Sequence, residues 1–267
     1  MTNAPKWTAP RIRALKGRSK ITVLTAYDYA LTRVMDEVGV HIALVGDSLG
    51  MTVLGYETTL PVTMDEMIHH TAAVSRGVKS AMVITDLPFL SYQVSISQAL
   101  ENAGRCLKEG GADGVKIEGG AGRADLVREL IENGIPVLGH IGLLPQSVKA
   151  TGGYKVKGRT EAEAERLVQD ARALEDAGAF ALVLEGMPAD VGSQVTKSIT
   201  IPTIGIGAGP GCDGQVLVVN DLLGITPPPS PKFVKRYAEI GDTIRKAFEQ
   251  YKADVESGTF PGPDQQY

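Results

Sequence analysis

Residues 110–120 read GGADGVKIEGG: a glycine where a helix would stop, a short apolar run, and two ionisable side chains, Lys116 and Glu118, where the run ends. The same unit recurs along the chain. IALVGDS delivers Asp47, AMVITDL delivers Asp86, PVLGH delivers His140 and ALVLEG delivers Glu185, and Gly39, Gly77, Gly134 and Gly178 precede these runs as Gly110 does. A left-handed helix stop favours a residue without a Cβ, so each glycine reads as the end of a helix. In a parallel α/β protein the carboxyl ends of the strands share one edge, and these distant side chains would converge there.

Eight candidate strands lie near 21–27, 41–46, 80–86, 114–118, 136–140, 179–185, 202–207 and 216–220. They are almost continuously apolar and rich in Val, Ile and Leu, the pattern of strands covered on both faces. An open doubly wound sheet would share the repeat, but eight units in succession without a switch in pattern favour a closed (β/α)8 TIM barrel. The expected organisation is a single α/β domain over 1–267 with an N-terminal extension of about 1–20. Thr63–Glu66 and Thr160–Glu163 have capping-box form. Residues 231–256 read as a closing amphipathic helix after the rigid connector ITPPPSP, and two long catalytic-face loops, 48–62 and 141–159, read as lids or binding loops.

The length of 267 residues suits one α/β barrel with extensions. A net charge of −4 without a basic tract gives nucleic acid no evident footprint. Cys106 and Cys212 are too few for a disulfide framework and lack metal-ligand spacing, so both read as small buried hydrophobes. The polar N-terminus resembles no signal peptide and no apolar run reaches membrane length, which makes a cytoplasmic enzyme the expectation.

Asp47, Asp86 and Glu118 supply hard oxygen ligands from separate strands, which suits Mg²⁺; helix capping and ion pairing are the structural alternatives. Lys116 and Glu118 are two apart and share a strand face, either as a structural ion pair or with Lys116 on an anionic substrate group. A Schiff-base role for Lys116 is opposed by the neighbouring carboxylate, which would raise its pKa. Glu185, facing a closed pocket away from the cation, is a candidate general base, with His140 as its polar partner or as a structural residue. His69 and His70 read as surface or packing residues, and GIGAGPGCDG (205–214) as a tight turn more than a phosphate loop.

In their local words these residues resemble the ketopantoate hydroxymethyltransferase family. LTAYDY (24–29), VGDSLGM (45–51), GYETTLPVT (55–63), TDLPF (85–89), VKIEGG (115–120), GHIGLLPQS (139–147), GGYKVKGR (152–159), VLEGMP (183–188), IPTIGIGAG (201–209), CDGQVLV (212–218) and PKFVKRY (231–237) follow that family's order. Leu144 stands where the family has Thr, Gly186 where some members have Cys, and the tail PGPDQQY lacks the usual His. The resemblance implies a (β/α)8 barrel, Mg²⁺, and hydroxymethyl transfer from 5,10-methylenetetrahydrofolate to 3-methyl-2-oxobutanoate. It also implies a metal site of Asp47, Asp86 and Glu118, a keto-acid site of Asp47, Ser48, Asp86 and Lys116, Glu185 as base, and a homodecamer of two pentameric rings; the strand-end position of His140, not the resemblance, adds it to the expected substrate-binding residues. The rival enzyme class, a phosphoenolpyruvate-mutase or isocitrate-lyase type barrel, would need a catalytic Cys on a mobile loop. A non-catalytic ligand-binding barrel would need none of the five ionisable groups.

Overall fold

The apolar runs become eight parallel strands: β1 Ile21–Thr25, β2 Ile42–Val45, β3 Met82–Asp86, β4 Gly114–Glu118, β5 Val137–Gly142, β6 Ala181–Glu185, β7 Thr203–Ile206 and β8 Gly214–Leu217. Each pairs with its sequence neighbour and β8 closes onto β1, so the computed structural model is a barrel in the order expected. It describes residues 5–227 and 229–267. Expected bounds hold within two residues for seven strands. The eighth begins earlier than the apolar run suggests, because Gly214 sits against the Ile21 carbonyl and the Ile204 side chain, where a Cβ would collide, and it pairs with both neighbours.

Strand alternation decides what the barrel contains. Ile21 and Val23, Ile42 and Leu44, Met82 and Ile84, Leu138, Ala181 and Val183, Ile204 and Ile206, and Val216 form one buried cluster. Continuing the same every-second-residue series along the strands leads to Asp86, Lys116, Glu118, His140 and Glu185. The lower interior is thus a packed apolar core, each Ile or Leu contributing ~1.5–3 kcal/mol by burial, and the upper interior is ionisable.

The extension before β1 has a structural role beyond that of a polar tail. The helix Ala9–Arg13 places Ile12, fully buried, in the core cluster, with Trp7, Ala9 and Leu15 packed against it. Residues 1–4 lie outside the described residues.

The glycines divide into two kinds. Gly39, Gly134 and Gly178 take positive φ (82°, 81° and 101°), as helix stops require. Gly77 and Gly110 do not; a Cβ on Gly77 would lie 2.9 Å from the Tyr29 carbonyl and one on Gly110 2.8 Å from Thr71 Cγ2, so these two are needed for close helix contact, and Gly111 takes the left-handed turn (φ 73°). Thr63 and Glu66 form the full capping box of the helix Met64–Gly77. Thr160 caps Glu161–Asp176, but Glu163 reaches back to the Arg159 amide, one residue earlier than the motif predicts.

The chain divides into two compact units, the first ending at Leu217 and the second Val218–Tyr267. In the second, the one-turn helix Val219–Leu222 precedes a helix over Ile240–Ser257, nine residues shorter at its start than the expected 231–256. Backbone bonds from Tyr237 to the Leu222 carbonyl and from Ile240 to that of Leu223 fold residues 231–239 into turns instead. Pro228, within the expected rigid connector, lies outside the described residues.

Candidate active site

The charged half of the barrel is built from backbone register. Asp86 pairs with Lys116, Glu118 with His140, and Gly142 with Glu185. Gly142 has φ 99°, and a Cβ there would run into the Glu185 carbonyl. Only glycine allows β5 and β6 to close at that height. Asp47 stands just beyond β2, its amide donating to Asp86 Oδ2 at 3.0 Å.

All five of Asp47, Asp86, Lys116, Glu118 and His140 are 5 % exposed or less. The Lys116 ammonium is 3.2 Å from Asp86 Oδ1, 4.0 Å from Glu118 Oε1 and 3.2 Å from His140 Nδ1. An ammonium can only donate, so Nδ1 accepts and the imidazole proton lies on Nε2. That nitrogen faces Glu185 Oε2 at 3.2 Å, a close contact without the alignment of a full hydrogen bond. Glu185 remains partly open to solvent, its side chain 16 % exposed. Ser48 Oγ meets the Tyr27 hydroxyl at 2.8 Å. The sequence expectations therefore converge in one site, with Ser48 at its rim.

Burial and like charge shape the protonation states. Burial pushes the Asp47 carboxyl up to about 7, helped by Asp86 and resisted by Lys116. Burial likewise raises Glu118 well above the usual carboxylate range, with Lys116 opposing. The Lys116 ammonium would be lowered by burial, but Asp86, Glu118 and Asp47 outweigh it and hold it above the ordinary lysine range. Burial and the adjacent Lys116 cation lower His140, keeping it neutral at pH 7.

Among the described residues, no three His, Cys, Asp or Glu side chains form a ready-made metal cage. Mg²⁺ does not need one, since it keeps several waters and takes one or two carboxylates together with substrate oxygens. Asp86 Oδ1 and Glu118 Oε1 are buried without a hydrogen-bond partner. Four carboxylates, those of Asp47, Asp86, Glu118 and Glu185, surround the single Lys116 ammonium. Hard oxygens that make no hydrogen bond and share one ammonium, at 3.2 and 4.0 Å, leave coordination capacity that fits a divalent cation.

Two further polar residues, Tyr92 and Gln146, are absent from the sequence expectations although they bond directly to this site. They are uncharged and lie in loops, so neither strand-end position nor charge marks them. Both expected long loops contain short helices, Leu49–Thr52 and Val148–Thr151, and they meet where the Tyr154 hydroxyl donates to Met51 Sδ at 3.6 Å. His69 is exposed, and His70 Nδ1 bonds the Tyr27 carbonyl at 2.7 Å, in keeping with surface and packing roles. Cys106 and Cys212 are buried free thiols, Cys106 within the helix Ile96–Lys108. The surface groove along the helix Ala189–Ser198 holds none of the site groups. No helix among the described residues is long and apolar enough to cross a membrane.

The fold resembles that of 2,3-dimethylmalate lyase, a PEP mutase/isocitrate lyase superfamily member, with a TM-score of 0.61 at 19 % identity over 98 % of this chain and 92 % of that one. Phosphonopyruvate hydrolase, solved with oxalate and Mg²⁺, gives a TM-score of 0.62 at 11 % identity over 94 % and 88 % of the two chains. Likeness at such identities establishes the barrel fold alone. The sequence relatives are much closer. The chain is 57 % identical to the 3-methyl-2-oxobutanoate hydroxymethyltransferase of Syntrophus aciditrophicus over 98 % of its own length and 97 % of the relative's, and 53 % identical to that of Moorella thermoacetica over the full length of both. Residues 6–263 match the family model for ketopantoate hydroxymethyltransferase, and the chain belongs to that family.

Proposed function

We propose that this enzyme transfers a hydroxymethyl group from 5,10-methylenetetrahydrofolate to 3-methyl-2-oxobutanoate, forming 2-dehydropantoate for pantothenate biosynthesis. The observation that carries the mechanism is the chain of contacts from Asp86 through Lys116 and His140 to Glu185, which joins an electrostatic anchor to a base across one buried site. Asp86 and Glu118, with Asp47, would hold Mg²⁺. Bound there, the cation would chelate the 2-oxo acid and stabilise negative charge developing on its keto oxygen.

The chain's own groups do the remaining work. Lys116, fixed as an ammonium among carboxylates, attracts the substrate carboxylate and cannot serve as an amine nucleophile. Asp47 and Ser48 border the same substrate space. Glu185 takes the C3 proton and the C–H electrons enter the enolate; water adds to the folate methylene, both of its C–N bonds break and tetrahydrofolate leaves carrying water's two protons on nitrogen, and the enolate carbon bonds the one-carbon aldehyde so released, whose oxygen takes the proton from Glu185. Neutral His140 directs its Nε2–H toward Glu185 and orients that carboxylate without giving it a charge partner. The cytoplasm and an assembly of two pentameric rings complete the reading, supported by family membership.

The test is formation of 2-dehydropantoate from the two substrates by the purified chain. Product should require Mg²⁺. No product with both substrates and Mg²⁺ present would refute the assignment.

A further inference from the structure

Gln146 lies in the single turn Pro145–Ser147 and is 6 % exposed, and its side-chain amide and backbone N–H are fully engaged. Its side-chain Nε2 donates to Asp47 Oδ2 at 2.9 Å and to the Leu87 carbonyl at 2.9 Å. Its Oε1 accepts from the Tyr92 hydroxyl at 2.8 Å and from Gln93 Nε2 at 3.1 Å. Its backbone amide donates to Glu118 Oε2 at 3.1 Å.

We infer that Gln146 is a positioning residue that binds one oxygen of Asp47 and one of Glu118 and thereby turns the remaining oxygen of each toward the metal and substrate. The inference rests on the proposed metal site.

The amide has only one workable orientation. Both its protons meet acceptors and its oxygen meets two donors, so a flip would set oxygen against the Asp47 carboxylate and the Leu87 carbonyl, and NH₂ against the Gln93 amide. Tyr92 enforces that orientation. Its hydroxyl proton has the shorter contact to Gln146 Oε1, at 2.8 Å against 3.3 Å to the Glu118 carbonyl, while its oxygen accepts the Glu118 amide at 3.2 Å, and the Arg123 guanidinium lies over its ring at 5.5 Å. Gln146, in the loop after β5, thus holds the carboxylates of Asp47 and Glu118, and Tyr92, in the loop after β3, holds Gln146 and the Glu118 backbone. Glu118 Oε1, the oxygen Gln146 does not touch, is buried without a hydrogen bond and faces the Lys116 ammonium at 4.0 Å.

Gln146→Met keeps the length of the side chain and removes its donors. Titration of the full chain with Mg²⁺ alone, followed by calorimetry, should show affinity reduced tenfold or more. Tyr92→Phe should reduce it less, and Tyr92→Phe added to Gln146→Met should reduce it no further, because both act through one amide orientation. A purely structural role would instead lower the melting temperature of each variant, leave the Mg²⁺ affinity of the folded protein at the wild-type value, and make the two losses of stability additive. Folded Gln146→Met that binds Mg²⁺ within twofold of wild type overturns the inference. If that variant fails to fold, Tyr92→Phe decides by the same criterion, wild-type affinity again overturning it. Wild-type protein that binds no Mg²⁺ would sink the metal site and the inference with it, and that failure is distinguishable because it appears before any substitution.

Discussion

The two ends of the barrel follow one geometric rule and reach opposite chemistry. At the amino-terminal end, the interior positions carry Ile21, Ile42, Met82 and Ile204, capped by Ile12 from the extension. Toward the carboxyl end, the interior positions of β3, β4, β5 and β6 carry Asp86, Lys116, Glu118, His140 and Glu185. The lower half gains stability from removing apolar area from water. The upper half buries charges whose mutual attraction offsets desolvation only in part, as the raised Asp47 and Glu118 carboxyls show. One half of the barrel therefore stabilises the frame on which the other holds ionisable groups close together.

The sharpest way to break this division is at Glu185. Glu185→Gln keeps shape but cannot accept a proton, so exchange of the C3 proton of bound 3-methyl-2-oxobutanoate in D₂O should slow by about 100-fold or more, with Mg²⁺ and keto-acid binding retained. Exchange at the wild-type rate by NMR would move the base elsewhere, His140 being the next candidate.

Lys116→Ala should raise the keto-acid KM by about tenfold or more, the loss of one charge-assisted contact worth ~1.5–3 kcal/mol, while leaving Asp86 and Glu118 without their shared cation. Borohydride added to wild type with the keto acid should leave the protein mass unchanged. A reduced adduct on Lys116 would contradict the anchoring role.

At the opposite end, Ile12→Ala should cost ~2–4 kcal/mol of stability by leaving a cavity beneath the barrel. Since no charged group is disturbed, KM should stay within about twofold of wild type. A large KM change with unaltered urea midpoint would show that the two halves are not separable.

A pH profile tests the cost of the charged end. Asp47 has a folded-state pKa of about 7, raised above its unfolded value near 4. The folded state then binds more protons, so this contribution to stability is fully present below about pH 4 and is lost as pH rises through about 7. Metal-free protein should show this slope in urea unfolding and Asp47→Asn should flatten it. Equal slopes for the two proteins would show that Asp47 does not carry the effect.

Much of the fold was legible because buried parallel strands leave local traces. A run such as AMVITD is too apolar for a loop, and Thr63 and Thr160 mark helix starts by side-chain caps that depend only on near neighbours. The less legible features depended on packing. Gly77 and Gly110 looked like helix stops and proved to be points of close helix approach, and the expected helix over 231–256 began only at Ile240.

The order of the strands and the set of charged groups at their carboxyl ends are written in the residue pattern, because a strand's period of two and the carboxyl-edge rule of parallel sheets are local and topological constraints. The tertiary structure alone decided which of those groups touch. It set Lys116 between Asp86 and His140, placed His140 against Glu185, and brought Gln146 and Tyr92 from two loops onto Asp47 and Glu118. Residues 47 and 146 meet only once the barrel has closed. A neutral polar residue in a loop has no periodicity to betray it, and its partners are fixed only by the distances that closure creates.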